Sequence, residues 1–203
     1  MRSASLVSVL MPVYNAAPFV CEAVESVLRQ SHRNLELLCW DDGSSDHSRQ
    51  TLDRLAAMDS RIRLFSHPEN RGVIETRNAL LGKARGDYLM WLDADDAIMP
   101  GKVEQQLHFL SSHPACGAVG TGVIFIDSEG VPYKEEFYSD DPVRQRNDPQ
   151  ICCASVMVRR RAAEQAGGFR PLYRCGGEDG DWLLRIADFW DVRNMHKALY
   201  RYR

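Results

Sequence analysis

The chain has 203 residues, with 25 basic and 28 acidic side chains and a formal net charge of −3. This near-neutral balance argues against a general nucleic-acid binder, which needs a strongly basic face. Its 44% hydrophobic and 26% charged residues are typical of a globular domain, and no apolar run reaches the roughly 18–20 residues that span a bilayer. We therefore expect one folded domain over residues 1–203, with no membrane span and no cleaved leader.

Short apolar runs alternate with amphipathic segments through the first hundred residues. Strands are predicted at 6–11, 35–40, 62–66 and 88–92. Helices are predicted at 19–30, at 74–83, from 100 to 113, and along the stripe Leu52, Leu55 and Ala56, with Ser44 or Ser45 as the N-cap. Strand–helix alternation at this spacing predicts an α/β fold with a Rossmann-like, mostly parallel central sheet and helices on both faces.

The second half of the chain is less regular. Strands are predicted at 116–120, 123–127, 151–158 and 192–202, and helices at 160–166 and 182–187. A turn at 128–130 and a polar loop at 137–150 separate them. The pattern contains no repeat and no linker, which favours a single domain.

The cysteine pattern indicates reduced thiols. Cysteines occur at Cys21, Cys39, Cys116, Cys152, Cys153 and Cys175. None has the Cys-x-x-Cys spacing of a zinc site, and most lie in apolar stretches, where a free thiol packs as a small hydrophobic group. We therefore expect a cytoplasmic protein.

Acidic clusters follow two of the predicted strands, DDGSSD at 41–46 and DADD at 93–96. Ligands of parallel sheets bind beyond the carboxyl ends of the strands, so both clusters are expected at a binding site. The turn after the first strand, residues 12–17, has no glycine. This excludes both the dinucleotide-binding fingerprint and the phosphate loop of nucleotide triphosphatases.

Carboxylates as close as Asp93, Asp95 and Asp96 repel one another unless a cation lies between them. Mg²⁺ or Mn²⁺ bound there would bridge a diphosphate and neutralise charge on a leaving group. A solvated acidic turn or a helix N-cap explains the pattern as well. Asp42 has similar alternatives, since it can accept from a base N–H or cap a helix.

A third cluster, EDGD at 178–181, precedes a predicted helix. A carboxylate there can act as a general base if its geometry is suitable. Acidic residues are also favoured at a helix N-terminus for electrostatic reasons alone. From the residues themselves both interpretations stay open.

The order of the motifs along the chain resembles that of glycosyltransferase family 2. The matching segments are VSVLMPVYN at 7–15, SVLRQS at 26–31, DDGSSD at 41–46, NRG at 70–72, RN at 77–78, GDYLMWLDADD at 86–96, GGF at 167–169, GEDGDWLLR at 177–185 and LYRYR at 199–203. This family consists of inverting nucleotide-sugar transferases of the GT-A fold. The resemblance covers nearly the whole chain and implies a nucleotide-binding half at 1–100 and an acceptor-binding half at 101–203.

The resemblance also implies roles for individual residues. Asp179 would be the catalytic base, with Glu178 and Asp181 as neighbours. Residues implied to bind the nucleotide are Pro12, Val13 and Tyr14 at the base, Asp42 at the uracil or thymine edge, Arg77 near the diphosphate and Asp93 near the ribose. Asp95 and Asp96 would hold a divalent cation, Mg²⁺ or Mn²⁺.

The implied activity is transfer of one hexosyl or N-acetylhexosaminyl unit from a nucleoside-diphosphate sugar, expected to be a UDP-sugar, in polysaccharide biosynthesis. The acceptor would be a saccharide or a lipid-linked saccharide, so peripheral association with the inner face of the membrane is left open, and no nucleic acid is expected as a partner. The alternatives are a sugar-phosphate nucleotidyltransferase and a catalytically silent nucleotide- or carbohydrate-binding module.

Two features depart from the family pattern. The family often has a histidine near the diphosphate after the Tyr-Arg segment, and this sequence stops at Arg203, so a truncation at the C-terminus is expected. The Gln-x-x-Arg-Trp pattern of processive members is missing, because Trp182 follows Asp181 directly. This favours transfer of a single sugar.

Overall fold

The computed structural model describes residues 5–148, 150–173 and 176–203. The strands are β1 (Val7–Val13), β2 (Leu35–Asp42), β3 (Ile62–His67), β4 (Tyr88–Trp91), β5 (Ala97–Ile98), β6 (Cys116–Ile126), β7 (Pro132–Glu136), β8 (Met157–Arg159) and β9 (Asp191–Tyr202). The helices are α1 (Val20–Leu28), α2 (Ser48–Met58), α3 (Val73–Lys83), α4 (Lys102–Ser112), α5 (Pro142–Asn147), α6 (Arg160–Ala166) and α7 (Glu178–Ala187). No helix in the described ranges is both long and apolar enough to cross a membrane.

The strands form one mixed sheet in the order β3-β2-β1-β4-β8-β6-β9-β5, and β7 pairs with β6 outside this path. The first four strands of that order are parallel, as are β6 and β9. Antiparallel pairs join β4 to β8, β8 to β6 and β5 to β9. The predicted α/β class with a mostly parallel sheet is confirmed.

Helices cover both faces of the sheet because the central strands bury side chains on both sides. One core cluster joins β1 and β2 to the apolar stripes of α1, α2 and α4. The other joins Leu10 and Leu38 to α3, α6 and α7. The stripe of α1, with Val20, Ala23 and Val27 buried, has the spacing of one helix face.

The second half differs from the sequence-based prediction in several places. The strands expected at 116–120 and 123–127 are one strand, β6, with irregular register against β9. The strand expected at 151–158 is reduced to β8 (Met157–Arg159), preceded by a 3₁₀ turn at Cys153–Ser155. Strand β7 lies between the turn expected at 128–130 and the loop expected at 137–150, where no element was predicted, and helix α5 lies within that loop. Helix α7 begins at Glu178, four residues before the predicted start.

The five cysteines in the described part of the chain are free thiols, and Cys175 lies outside it. Burial raises the pKa of the Cys116 thiol to about 12. Such thiols pack as apolar groups and are poor nucleophiles.

Lys102 is fully buried at the start of α4. Its Nζ donates to Gln106 Oε1 at 2.7 Å and to the Ser155 carbonyl at 2.8 Å. Burial lowers the pKa of this amine to about 7. The lysine therefore joins α4 to the turn before β8 in a form that gives up its proton near neutral pH.

We expect the free energy of unfolding to depend on pH through Lys102. Between about pH 7 and pH 10 the unfolded chain keeps the proton that the folded chain has released, so stability rises with pH. Relative to Lys102→Met, the wild type should gain on the order of 2 kcal/mol across this range. Urea unfolding at several pH values checks this, with the exposed Lys134→Met as control. Parallel pH curves for wild type and Lys102→Met would contradict it.

Candidate active site

A cleft of about 350 Å³ opens at the carboxyl ends of β1, β2 and β4. Because these strands are parallel, their last residues and the loops after them meet at one edge of the sheet. Of the residues implied by the family resemblance, those that line the cleft are Pro12, Val13, Tyr14, Asp42, Asp93 and Asp95. Their separate roles stay predictions.

Asp42 lies at the end of β2 and is almost completely buried. Its Oδ1 accepts from the backbone N–H of Arg71 at 2.9 Å and contacts His67 Nδ1 at 2.8 Å. Its Oδ2 accepts from the N–H of Gly72 at 2.9 Å. The carboxylate therefore fixes the turn before α3, and only its remaining lone pairs are available to a ligand.

Asp93 and Asp95 differ in how the protein satisfies them. Asp93 faces Arg77 at 3.8 Å, and burial raises the pKa of its carboxyl to about 6 in spite of this guanidinium. The exposed carboxylate of Asp95 has no hydrogen bond or ion pair within the described ranges. Asp95 is therefore the acid of this loop that is free to bind a ligand.

Asp96 is buried and bound by the last strand. Its Oδ2 accepts from the Tyr200 hydroxyl at 2.7 Å and its Oδ1 from the Arg203 backbone N–H at 2.8 Å. The Tyr200 oxygen also accepts from the Asp93 N–H at 3.2 Å. Burial raises the pKa of the Asp96 carboxyl to about 7. These contacts favour a structural role for Asp96 over the metal ligation that the resemblance implies.

Arg203 extends this support. Its Nε donates to the Asp95 carbonyl at 2.8 Å, its Nη2 binds Glu22, and its guanidinium lies 4.6 Å from the centre of the Phe19 ring. Phe19 itself lines the cleft. The end of β9 therefore holds the acidic loop against one wall of the cleft.

Arg77 contacts the acids of α7. Its Nη1 donates to Glu178 Oε1 at 3.0 Å and to Asp179 Oδ1. The Asp179 side chain is 36% exposed, whereas that of Glu178 is nearly buried. Arg77 does not line the cleft, but it also faces Asp93, which does. The Arg77 guanidinium therefore lies between Asp179 and the cleft residue Asp93.

The Asp181 carboxylate does not contact Arg77 and has other partners. Its carboxylate accepts from Arg170 at 3.2 Å, from the Tyr173 hydroxyl at 3.2 Å and from Arg185 at 2.9 Å. Arg185 in turn donates to the carbonyls of Ala166 and Gly168. Asp181 thus fixes α7 to the end of α6, and this arrangement favours a structural role over a part in catalysis.

The sequence reasoning missed several residues that line the cleft: Asn15, Ala16, Phe19, Asn70, Val73, Thr76 and Ala94. The buried Thr76 hydroxyl has no hydrogen-bond partner within the described residues. The spacing of Val73 and Thr76, one turn apart on α3, places them on the same face. Their spacing in the sequence could therefore have indicated that both residues face the same site.

The acidic loop is compatible with one divalent cation but supplies few ligands. No group of three or more histidine, cysteine or acidic side chains that could hold a metal occurs within the described ranges. Mg²⁺ sites that use one or two carboxylates complete their coordination with water and substrate phosphates. The unpaired Asp95 carboxylate fits such a site.

The family model "Glycosyl transferase family 2" matches residues 8–167 of this chain. Among curated proteins, EpsE of Bacillus subtilis, which carries a provisional glycosyltransferase name, is 33% identical over 207 residues. That match covers 100% of this chain and 74% of EpsE.

Two solved structures share the fold. S. aureus TarS 1-349, in complex with UDP-GlcNAc, matches with a TM-score of 0.79 and 19% identity over 96% of this chain. The mannosyltransferase PcManGT of Pyrobaculum calidifontis, in complex with GDP-Man and Mn²⁺, matches with a TM-score of 0.76 and 21% identity over 98% of this chain. The present chain spans 57% of each of these solved chains.

We expect Tyr200→Phe to lower the free energy of unfolding by about 1–3 kcal/mol, because it removes one partner from the buried Asp96 carboxylate and one from the Asp93 N–H. Urea unfolding measures the change, and Tyr133→Phe, at an exposed tyrosine, is the matched control. Equal stability of the two variants would show that the Tyr200 hydroxyl does not hold this loop.

Proposed function

The chain belongs to glycosyl transferase family 2, and we propose that it transfers one sugar from a nucleoside-diphosphate sugar to a hydroxyl group of a saccharide, with inversion at the anomeric carbon. The main support is the position of Asp179. This partly exposed carboxylate lies one guanidinium away from Asp93 and the cleft. A donor bound in the cleft and an acceptor beside α7 would therefore meet at Asp179.

The proposed step uses Asp179 as general base. Its carboxylate takes the proton of the acceptor hydroxyl while that oxygen forms a bond to the anomeric carbon. The bond from this carbon to the diphosphate oxygen breaks, and its electron pair leaves with the nucleoside diphosphate on the opposite face. The configuration inverts, and no covalent sugar–enzyme intermediate is required.

We assign the cleft to the donor. The half-exposed ring of Tyr14 offers a surface for the base, and Thr76 and Asn70 offer polar groups along the wall. Asp95 would hold a divalent cation, which when bound would neutralise charge on the departing diphosphate. The complexes of TarS with UDP-GlcNAc and of PcManGT with GDP-Man and Mn²⁺ support a nucleotide-sugar donor, of which we propose a UDP-hexose or UDP-N-acetylhexosamine.

We assign the acceptor to the side of α7. A cavity of about 740 Å³ lies there, lined by Glu178, Tyr173 and Pro171 together with the start of α3. Its size suits a sugar unit, and an aromatic ring in the wall can pack on a sugar face. The proposed acceptor is a saccharide or a lipid-linked saccharide in the cytoplasm or at the inner face of the membrane.

A panel of nucleotide sugars tests the assignment. The purified protein is incubated with each donor, Mn²⁺ or Mg²⁺ and a set of saccharide acceptors, and the release of nucleoside diphosphate is measured. Release from one donor supports the transferase. Formation of pyrophosphate from a sugar phosphate and a nucleoside triphosphate would support a nucleotidyltransferase instead, and binding without turnover a silent module.

We expect Asp179→Asn to lower turnover by roughly 10²–10⁴-fold, because the amide cannot accept the hydroxyl proton. Binding of the nucleoside diphosphate, measured by calorimetry, should change little, since Asp179 does not line the cleft. Asp188→Asn, an exposed acid just after the same helix, is the control. Near-normal turnover of Asp179→Asn would rule out this base.

We expect Asp95→Ala to weaken nucleoside-diphosphate binding in the presence of Mn²⁺ by roughly tenfold or more, because the free carboxylate that fits a cation is lost. Without metal, the variant and the wild type should bind the nucleotide alike. Calorimetry with UDP, with and without Mn²⁺, measures both, and Asp188→Ala is the control. An unchanged Mn²⁺-dependent affinity would exclude Asp95 as a ligand.

A further inference from the structure

The contacts of Arg77 indicate that the reaction requires a residue that positions Asp179, in addition to Asp179 itself. We propose that Arg77 is a positioning residue, which binds Oδ1 of Asp179 so that Oδ2 is the oxygen that receives the acceptor proton, and which Glu178 holds in place. This inference rests on the proposed glycosyl transfer. It differs from the role implied by the family resemblance, in which Arg77 lies near the diphosphate.

Arg77 is a buried cation whose charge is balanced by carboxylates. The residue is 7% exposed, and its guanidinium lies within ion-pair distance of Glu178, Asp179 and Asp93. A buried charge is destabilising unless it is paired with good geometry. Both α7 acids contact Nη1, whereas Asp93 is 3.8 Å from Nη2, so the close contacts of Arg77 are on the side of α7.

Aromatic rings restrict the movement of this guanidinium. Its central carbon lies 5.7 Å from the centre of the Trp91 ring and 5.4 Å from that of Phe169. Trp91 and Phe169 also pack edge-to-face on each other. Asn78, one residue after Arg77, exchanges two hydrogen bonds with the backbone of Phe169. The packing holds Arg77 beside α7 and opposes a swing towards the cleft.

The two acids that Arg77 contacts are then not equivalent. Glu178 is nearly buried and Arg77 is the partner of its carboxylate, so it serves to anchor the guanidinium. Asp179 is more exposed, and its Oδ2 has no hydrogen bond among residues 5–148, 150–173 and 176–203. One oxygen of Asp179 is fixed and the other is available, which is the arrangement that a directed proton acceptor requires.

The central variant is Arg77→Lys, which keeps the charge but loses the planar guanidinium, whose Nη1 contacts the α7 acids while Nη2 faces Asp93. We expect kcat to fall roughly 10–100-fold, with the donor that turns over best in the panel. The Kd of the corresponding nucleoside diphosphate with Mn²⁺ should stay within about threefold of the wild type. If Arg77 instead binds the diphosphate, the Kd should rise and kcat should change less, and that outcome would overturn the proposal.

A matched control separates this effect from the loss of any buried ion pair. Arg63 binds Glu36 at 2.7 Å, and both side chains are largely buried. This pair lies near the amino ends of β3 and β2, at the opposite edge of the sheet from the cleft. Arg63→Lys should therefore keep the kcat of the wild type. A loss in Arg63→Lys as large as in Arg77→Lys would mean that general destabilisation explains both.

Two further comparisons test whether Arg77 acts through Asp179. In an Asp179→Asn background, Arg77→Lys should lower the residual rate no further, because the group that it positions is gone. Glu178→Gln keeps an oxygen that can accept from Nη1, so it should retain more activity than Glu178→Ala. Multiplicative losses in the double variant, or equal losses for the two Glu178 variants, would overturn the proposal.

The outcomes also distinguish this inference from the function on which it rests. If the wild type releases nucleoside diphosphate from no donor, the proposed function fails and this inference fails with it. If the wild type is active and Arg77→Lys keeps its kcat, only the positioning role is wrong.

Discussion

Repulsion among carboxylates at one edge of the sheet is the constraint to which the surrounding structure responds. Parallel strands bring the acids after β2 and β4 to the same edge, and the start of α7 adds Glu178 and Asp179. Such acids are stable together only when each negative charge has a partner. The protein supplies a different kind of partner to each group: backbone N–H groups, a tyrosine hydroxyl, or a guanidinium. Among the described residues the Asp95 carboxylate receives none of them, and this is why we propose it as the ligand of a cation.

The partners come from distant parts of the sequence. Tyr200 and Arg203 bind Asp96 across more than a hundred residues, and Arg77 binds Glu178 across 101 positions. Strand β9 can reach the acidic loop because it pairs with β5, where Ile98 is opposite Tyr200. The end of the last strand thus supports the acidic loop although it contributes no residue to the lining of the cleft. The Tyr200 hydroxyl and the Arg203 backbone N–H hold the loop in place through Asp96.

The parts of the fold that the sequence predicts correctly are those with strong local patterns. The apolar runs of β1, β2 and β4 and the helical spacing in α1 carry enough information by themselves. Strand β7, Pro132–Glu136, is an exposed edge strand with almost no apolar alternation, so no local pattern distinguishes it from a loop. Helix α5 did leave a local signal, since Asp141 caps it and Pro142 occupies its first turn. The apolar run at 151–158 was misleading, because the Ser155 backbone N–H and Oγ both donate to the Cys152 carbonyl and close a 3₁₀ turn there.

In the candidate site, too, local sequence patterns predict some features, while others depend on contacts between distant residues. Motif order selects the candidate acids, but the number of partners that each acid has depends on tertiary contacts. Nothing near Asp96 in the sequence distinguishes it from Asp95, yet the Asp96 carboxylate is bound twice and that of Asp95 has no partner in the part of the chain that the structure describes. For the same reason Arg77 is expected at the diphosphate from the motif, whereas its contacts lie with α7.

On the proposed function, the Arg77 contact also explains how donor and acceptor recognition can be separated. The first half of the chain forms the cleft and supplies Arg77, and the second half supplies Asp179. Because Arg77 is buried between aromatic rings and joins the two halves, Asp179, the proposed base, keeps its position relative to the cleft. Of the residues that line the adjacent cavity, Glu178 takes part in this contact, whereas Pro171 does not. If this cavity takes the acceptor as we propose, changes at Pro171 alter which acceptor fits without moving Asp179, so acceptor specificity can vary while the donor chemistry stays constant.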